Sequence, residues 1–344
     1  SSDWSSDVCS SDLYLPQTNI LVTTFRTAEG IVRLTDFMPA IETTGFGPAP
    51  FTMYRLIEAV EGAAEIQVRF EPRFDYGRAE TVLKYFEDGI SAVAGDERVF
   101  LSCSERGMII ENDSAWAVFG LRQGDRIGLR LTGTDGEVEK FDFGHARVSL
   151  ENTRKFWKEW LGRSETGVDL ELGPFRNMVD RCALVLKLLE FQPTGAIAAA
   201  ATTSLPEEIG GVRNWDYRFS WIRDSALTVE ALYNIGHLNE MEQYLRWLEK
   251  VISESGGDPL IMYGLRGESE LIEEELTHLK GYRNSRPVRI GNEAYSQKQL
   301  DIYGEIMDAA FRLSGYVGKI DFDLWPFLKR MCEIVAENWQ IGRA

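Results

Sequence analysis

The spacing of apolar positions changes once along the chain. From about residue 18 to residue 150 they come in short runs, ILVTTFRT, IVRLTDFM, IQVRF, WAVFGLR and RIGLRLTG. These runs are rich in β-branched and aromatic residues, and Gly and Asp punctuate them at AEGI, EDGI, AGDE, QGDR and GTDGE. Many short strands separated by turn residues predict an antiparallel β-sandwich over 14–150. After Glu151 apolar residues recur three and four apart, in ENTRKFWKEWLGR, PFRNMVDRCALVLKLLEF, WIRDSALTVEALYNIGH, MEQYLRWLEKVI, QKQLDIYGEIMDAAFRL and LWPFLKRMCEIVAENW. That period predicts a linking helix at 151–165 and five further helices over 166–340, with Gly236 and Gly315 near helix ends. The segments 182–191 and 219–235 are apolar on more than one face, as helices packed on both sides are. Long loops at 192–214 and 255–296 join the helices, and loops of that length commonly carry function.

Composition narrows the field. The 344 residues suggest two domains, and the formal charge of −17 offers no basic patch for nucleic acid or an anionic membrane. No apolar run approaches the roughly 20 residues that span a bilayer. Cys103, Cys182 and Cys332 are too scattered for a disulfide framework, and His145, His237 and His278 fall in no metal-binding spacing. A cytoplasmic protein without metal or cofactor is the expectation; oligomeric state is open.

The candidate chemistry lies in the first long loop and the helix after it. On a helix beginning near 217, Tyr217, Trp221, Asp224 and Thr228 share one face. An aromatic face covering the C–H side of a sugar ring, with charged groups gripping its hydroxyls, is one use of such a set. Arg223 is rotated by one position, and Asp224 is favoured near the helix N-terminus. The alternative is a buried Arg–Asp pair among core aromatics. In the loop SLPEEIGGVRNWD, Glu207 and Glu208 are either acid/base candidates or solvated carboxylates. A second loop, 281–294, gathers Arg283, Asn284, Arg286, Arg289 and Asn292. It either supplies donors for hydroxyls or pairs with the acidic run Glu273, Glu274 and Glu275.

The blocks TTSLPEEIGGVRNWDYRFSWIRDSAL, LIMYGLRGE and HLKGYRNSRPVRIGNEAYSQKQLDIYGE resemble the barrel of glycoside hydrolase family 15, which holds glucoamylases, glucodextranases and trehalases. The resemblance covers roughly 14 to 340, including EPRFDYG (71–77) in the first half. It implies an N-terminal β-sandwich followed by an incomplete (α/α)6 barrel of the six-hairpin glycosidase type. By motif, Tyr217, Trp221, Arg223 and Asp224 correspond to residues that hold the terminal glucose in the innermost subsite; Arg286, Arg289 and Asn292 join them as substrate-binding candidates. The implied parent is an inverting, exo-acting α-glucosidase of the glucoamylase type, acting on α-linked glucose oligosaccharides. A trehalase of the same family is the alternative, and a non-catalytic carbohydrate-binding protein the alternative from another class. Inversion uses one Glu as acid and another as base on opposite ring faces. The resemblance puts both carboxylates after Gln340, so no catalytic residue is expected in the chain.

The ends read differently. Ser-Ser-Asp recurs three times in the first thirteen residues. DNA encoding VCSSDL, read on the opposite strand, encodes the closing Ile341-Gly342-Arg343-Ala344. One oligonucleotide resembling a sequencing-library adaptor accounts for both ends, so 1–13 and 341–344 are expected to be tails without packed contacts.

Overall fold

The computed structural model describes residues 9–40, 51–86, 89–133, 140–163, 172–256, 258–317 and 324–339. The chain divides into two compact units, the first ending at Leu161.

The first unit contains β1 (Cys9–Tyr14), β2 (Leu21–Arg26), β3 (Gly30–Phe37), β4 (Thr52–Phe70), β5 (Val82–Phe86), β6 (Gly89–Ala94), β7 (Glu97–Cys103), β8 (Ile109–Glu111), β9 (Ser114–Arg122) and β10 (Arg126–Thr132). All pairings are antiparallel, in the order β1-β2-β3-β4-β10-β7-β6-β5, with β9 and then β8 attached to β4. The long strand β4 makes the sandwich. Its first part pairs with β3 and β10, and its last part, Ala63 to Phe70, pairs with β9. Gly62 stands where the partner changes, at φ +64°, and an added Cβ there would sit 2.0 Å from the Glu29 carbonyl oxygen. Only glycine fits that joint. Val32, Ile57, Val68, Ile90, Leu101 and Ile127 fill the core this arrangement encloses. The antiparallel sandwich expected from the sequence is therefore the fold of this unit.

Two expectations in this unit are corrected. Residues 9–13 are not a tail without contacts: Cys9 to Leu13 pair with β2 in register, although their side chains are exposed. A strand edge accepts added backbone whatever its side chains, because the ladder is a main-chain interaction. Residues 1–8 and 341–344 lie outside the described residues. The helix expected from 151 begins earlier, as α1 (Phe143–Gly162). Asp142 starts it, its Oδ1 accepting from the His145 N–H at 2.6 Å. Ala146 on its first turns packs with Ile20, Phe37, Tyr54 and Phe141.

The second unit contains α2 (Arg176–Leu189), α3 (Ile222–Asn234), α4 (Asn239–Glu254), α5 (Asp301–Val317) and α6 (Trp325–Asn338). Its core joins Ile222 and Val229 of α3 to Met241, Tyr244, Leu245 and Leu248 of α4 and to Ile302 and Ile306 of α5. Gly236 follows α3 at φ +95°, as a helix stop does, and Gly315 lies in the last turn of α5. The α2 helix buries Asp180, Ala183 and Leu184, while Met178, Val185 and Leu188 of its second apolar face are exposed. At its C-terminal end the Lys187 ammonium sits 2.6 Å from Glu190 and 2.8 Å from Glu240 of α4, all three groups largely buried. Among the described residues no helix is long and apolar enough to cross a membrane.

Candidate functional site

Two segments of the second unit, 203–224 and 271–301, hold the predicted site residues. The α3 helix starts at Ile222, five residues later than the spacing argument assumed, so Tyr217 and Trp221 lie on extended chain rather than on a helical face. The two rings still meet, with centroids 6.1 Å apart and planes tilted by 54°. Alternation along extended backbone brings i and i+4 to one side as a helix does. Trp221 is braced from behind: it and Ser220 pair with Met262 and Tyr263, and the Ile222 N–H donates to the Ile261 carbonyl at 3.0 Å. Its buried indole N–H has no hydrogen-bond partner among the described residues.

Arg223 and Asp224 occupy the first turn of α3, and they do not pair with each other. Arg223 Nη1 instead donates to Asp301 Oδ2 at 2.7 Å and to Gln299 Oε1 at 3.1 Å. Asp224 is exposed and makes no hydrogen bond or ion pair among the described residues. The alternative of a buried Arg–Asp pair is corrected. Burial raises the Tyr217 phenol pKa, and the nearby carboxylates of Glu207 and Asp224 push the same way against Arg213. Glu207 itself is exposed and paired with Arg213 at 3.1 Å.

The buried centre of the region is a residue the sequence reading passed over. Asp216 has no exposed surface, and its carboxylate accepts from Arg218 Nε at 2.9 Å, Arg218 Nη2 at 2.7 Å, the Arg218 N–H at 3.1 Å and the Gly291 N–H at 3.2 Å. Its carbonyl accepts from Asn292 Nδ2 at 3.1 Å. Asp216 thereby ties the chain next to Tyr217 to the 289–292 segment. The bond to the N–H two residues on is the Asx-turn that an Asp in Trp-Asp-Tyr-Arg makes locally, and this was the legible signal. Ser204, held at φ +58°, adds a second tie: its hydroxyl donates to the Arg289 carbonyl at 2.9 Å and accepts from the Arg289 N–H at 2.7 Å.

The three candidates from the second loop fare differently. Arg289 is committed within the protein. It forms ion pairs with Glu273 at 3.0 Å and Glu275 at 3.3 Å, donates to the Val212 carbonyl at 2.9 Å and stacks over Trp215 at 4.6 Å. The pairing with the acidic run, weighed against hydroxyl binding, is what this residue does. Asn292 is buried, and its Oδ1 accepts from the Ala294 N–H while its amide holds Asp216, so it braces rather than offers donors. Arg286 is exposed. Among the described residues no cluster of His, Cys, Asp and Glu has the geometry of a metal site.

Gly291 is the tightest point of this brace. It stands at φ +72°, and an added Cβ would lie 1.9 Å from the Ile272 carbonyl oxygen, a backbone atom that cannot step aside. Gly291→Ala is therefore expected to cost about 2 kcal/mol or more, since strain at φ > 0 adds to the clash. Urea unfolding of the variant beside the parent checks this; a midpoint unchanged within error rules the brace out.

Residues 173–343 match the sequence model of "Glycosyl hydrolases family 15". The trehalase of Mycolicibacterium smegmatis is 35% identical over 350 residues, covering 95% of this chain and 52% of the relative. The trehalase of Thermoplasma volcanium is 34% identical over 340 residues, covering 97% and 52%, and that of Thermoplasma acidophilum 34% over 338 residues, covering 96% and 56%. The chain spans about half the length of the curated relatives it matches. Among solved structures, a candidate kojibiose phosphorylase from the human microbiome superposes with a TM-score of 0.53 over 89% of this chain and 43% of that one, at 9% identity. That likeness concerns the fold alone, a β-sandwich with an (α/α)6-type helical domain. The relatives align across both halves, and the family match falls on the half that carries Asp216, Tyr217, Trp221, Arg223 and Asp224: this chain belongs to glycoside hydrolase family 15.

Proposed function

We propose that the complete protein carrying this chain is a glycosidase that cleaves trehalose, with the glucose unit held by Tyr217, Trp221, Arg223 and Asp224. The observation that carries this reading is the first turn of α3. An aromatic pair is fixed at its entrance, and a carboxylate without a hydrogen-bond partner among the described residues stands where a helix N-terminus favours negative charge. Such a carboxylate has its lone pairs available for sugar hydroxyls, and the paired rings offer an apolar face to the C–H side of a pyranose. The choice of trehalose over α-glucan rests on the relatives, which are named trehalases across nearly the whole of this chain. It reverses the order in which the sequence alone ranked the two.

Asp224→Asn in the complete protein is expected to lower kcat/KM for trehalose at least tenfold, about 1.4 kcal/mol of transition-state binding, because a charge-assisted hydrogen bond becomes a neutral one. Thermal stability should change little, since the side chain is exposed. Rates on trehalose and maltotriose, measured for parent and variant, decide the matter. Turnover of maltotriose alone returns the protein to the glucoamylase reading, and turnover of neither leaves the sugar-binding alternative.

A further inference from the structure

Arg223 is placed for its task by something other than its neighbour in sequence. Its Nη1 is bound twice, by Asp301 Oδ2 at 2.7 Å and by Gln299 Oε1 at 3.1 Å. Gln299 is itself oriented, its Nε2 donating to Gln297 Oε1 at 3.3 Å, which turns the carbonyl end of its amide toward Arg223. Asp301 is the first residue of α5, where the helix N-terminus favours a negative charge. Arg223 Nε and Nη2 make no hydrogen bond among the described residues. One edge of the guanidinium is thus held and the other two donor nitrogens are left available.

The pair contributes little to stability. Its side chains are 43% and 45% exposed, and ion pairs at such sites are worth close to nothing in folding. A long arginine side chain tethered at one nitrogen nevertheless keeps one rotamer out of many, and that ordering is what a binding site needs before the sugar arrives. A second carboxyl, Glu305, stands one turn along α5. Burial raises its pKa, followed by the charges of Asp301 and Asp308, while Arg223 works the other way. Arg223 therefore lies near two carboxyls of α5, Asp301 and Glu305, and the one it hydrogen-bonds is Asp301.

We propose that Asp301, assisted by Gln299, is the positioning residue for Arg223, fixing its guanidinium so that Nε and Nη2 meet the hydroxyls of the terminal glucose. This rests on the sugar-binding reading of Arg223 given above. Asp301 does not touch the sugar; it acts through Arg223.

The test is a double-mutant cycle in the complete protein, read as kcat/KM on trehalose and on maltotriose, with melting temperatures alongside. Asp301→Ala is expected to lower kcat/KM about tenfold or more, since a misplacement of roughly 1 Å in a positioning contact costs up to about a hundredfold. Its melting temperature should stay within about 2 °C of the parent, as expected for an exposed pair. Asp301→Glu, which keeps the carboxylate, should recover most of the loss. In an Arg223→Lys background, Asp301→Ala should cost less than about twofold further, because the group it positions has gone. Equal losses in both backgrounds, or an Asp301→Ala variant within twofold of the parent, overturn the positioning role while leaving the glycosidase reading standing. An unaltered protein that turns over neither sugar overturns that reading, and this inference with it.

Discussion

Asp216→Ala is expected to destabilise the helical half by about 3 kcal/mol, which for a unit of this size lowers the melting temperature by roughly 6–12 °C. The carboxylate is fully buried and accepts four hydrogen bonds. Truncation strands the N–H groups of Arg218 and Gly291 and removes the buried carboxylate that the Arg218 guanidinium pairs with. Breaking a buried pair by deleting one member costs about 3–5 kcal/mol, and the low end applies because the Arg218 side chain keeps a third of its surface in water. Asp216→Asn keeps the shape and one acceptor oxygen and should cost about half as much. Calorimetry on the three proteins orders them parent, Asn, Ala. If Asn and Ala lose equally, shape is irrelevant and the hydrogen-bond account fails. Because Asp216 sits beside Tyr217, the same variants should also weaken sugar binding out of proportion to Asp301 variants, through movement of the whole segment.

The second large effect concerns the buried triad that ties α2 to α4. Lys187→Met is expected to cost about 3–5 kcal/mol at neutral pH, because Glu190 and Glu240 lose the ammonium that bridges them in a site nearly closed to water. The pH dependence has a definite sign. Burial raises the Glu190 carboxyl pKa above its ordinary 4.5, with Lys187 only partly opposing and Glu240 adding to the rise. A carboxyl whose folded pKa is raised contributes stability that is present below its unfolded pKa and is lost as the pH rises through the folded value. Lys187 is held charged, since the two carboxylates outweigh the burial that acts against its ammonium. Removing it takes away the charge that opposes the rise at Glu190. The gap between variant and parent should therefore be small near pH 4 and widen between roughly pH 5 and 8. Urea unfolding across that range measures it, and a gap that is constant with pH would mean that lost packing of the lysine stem, not charge, is responsible.

The α2 face that carries Met178, Val185 and Leu188 shows where pattern reading and structure part company. The apolar positions of 182–191 fall on more than one face of the helix, which predicts packing on both sides. Among the described residues one side is covered and the other is not. A hydrophobic stripe states that a face prefers cover; it does not state what covers it.

Period determined most of the rest. The strands of the sandwich, the change of spacing near 150 and the five later helices all follow from whether apolar residues come in short runs between turn residues or recur three to four positions apart, which is a local property of the backbone. The motif around Trp221, Arg223 and Asp224 was equally local, and it carried the family. What the sequence by itself did not determine was who meets whom. The Arg223–Asp301 pair joins residues 78 positions apart, and Gly291 meets Asp216 across 75. Arg289 meets Glu273 across 16 positions and Trp215 across 74. A charged side chain finds its partner through the path of the loops, and the charge of Arg223 reads the same in sequence whether its partner is the next residue or the start of a later helix. Tertiary structure alone decided that Asp224 is exposed at the start of its helix while Asp216, eight positions earlier, is buried to hold the site together.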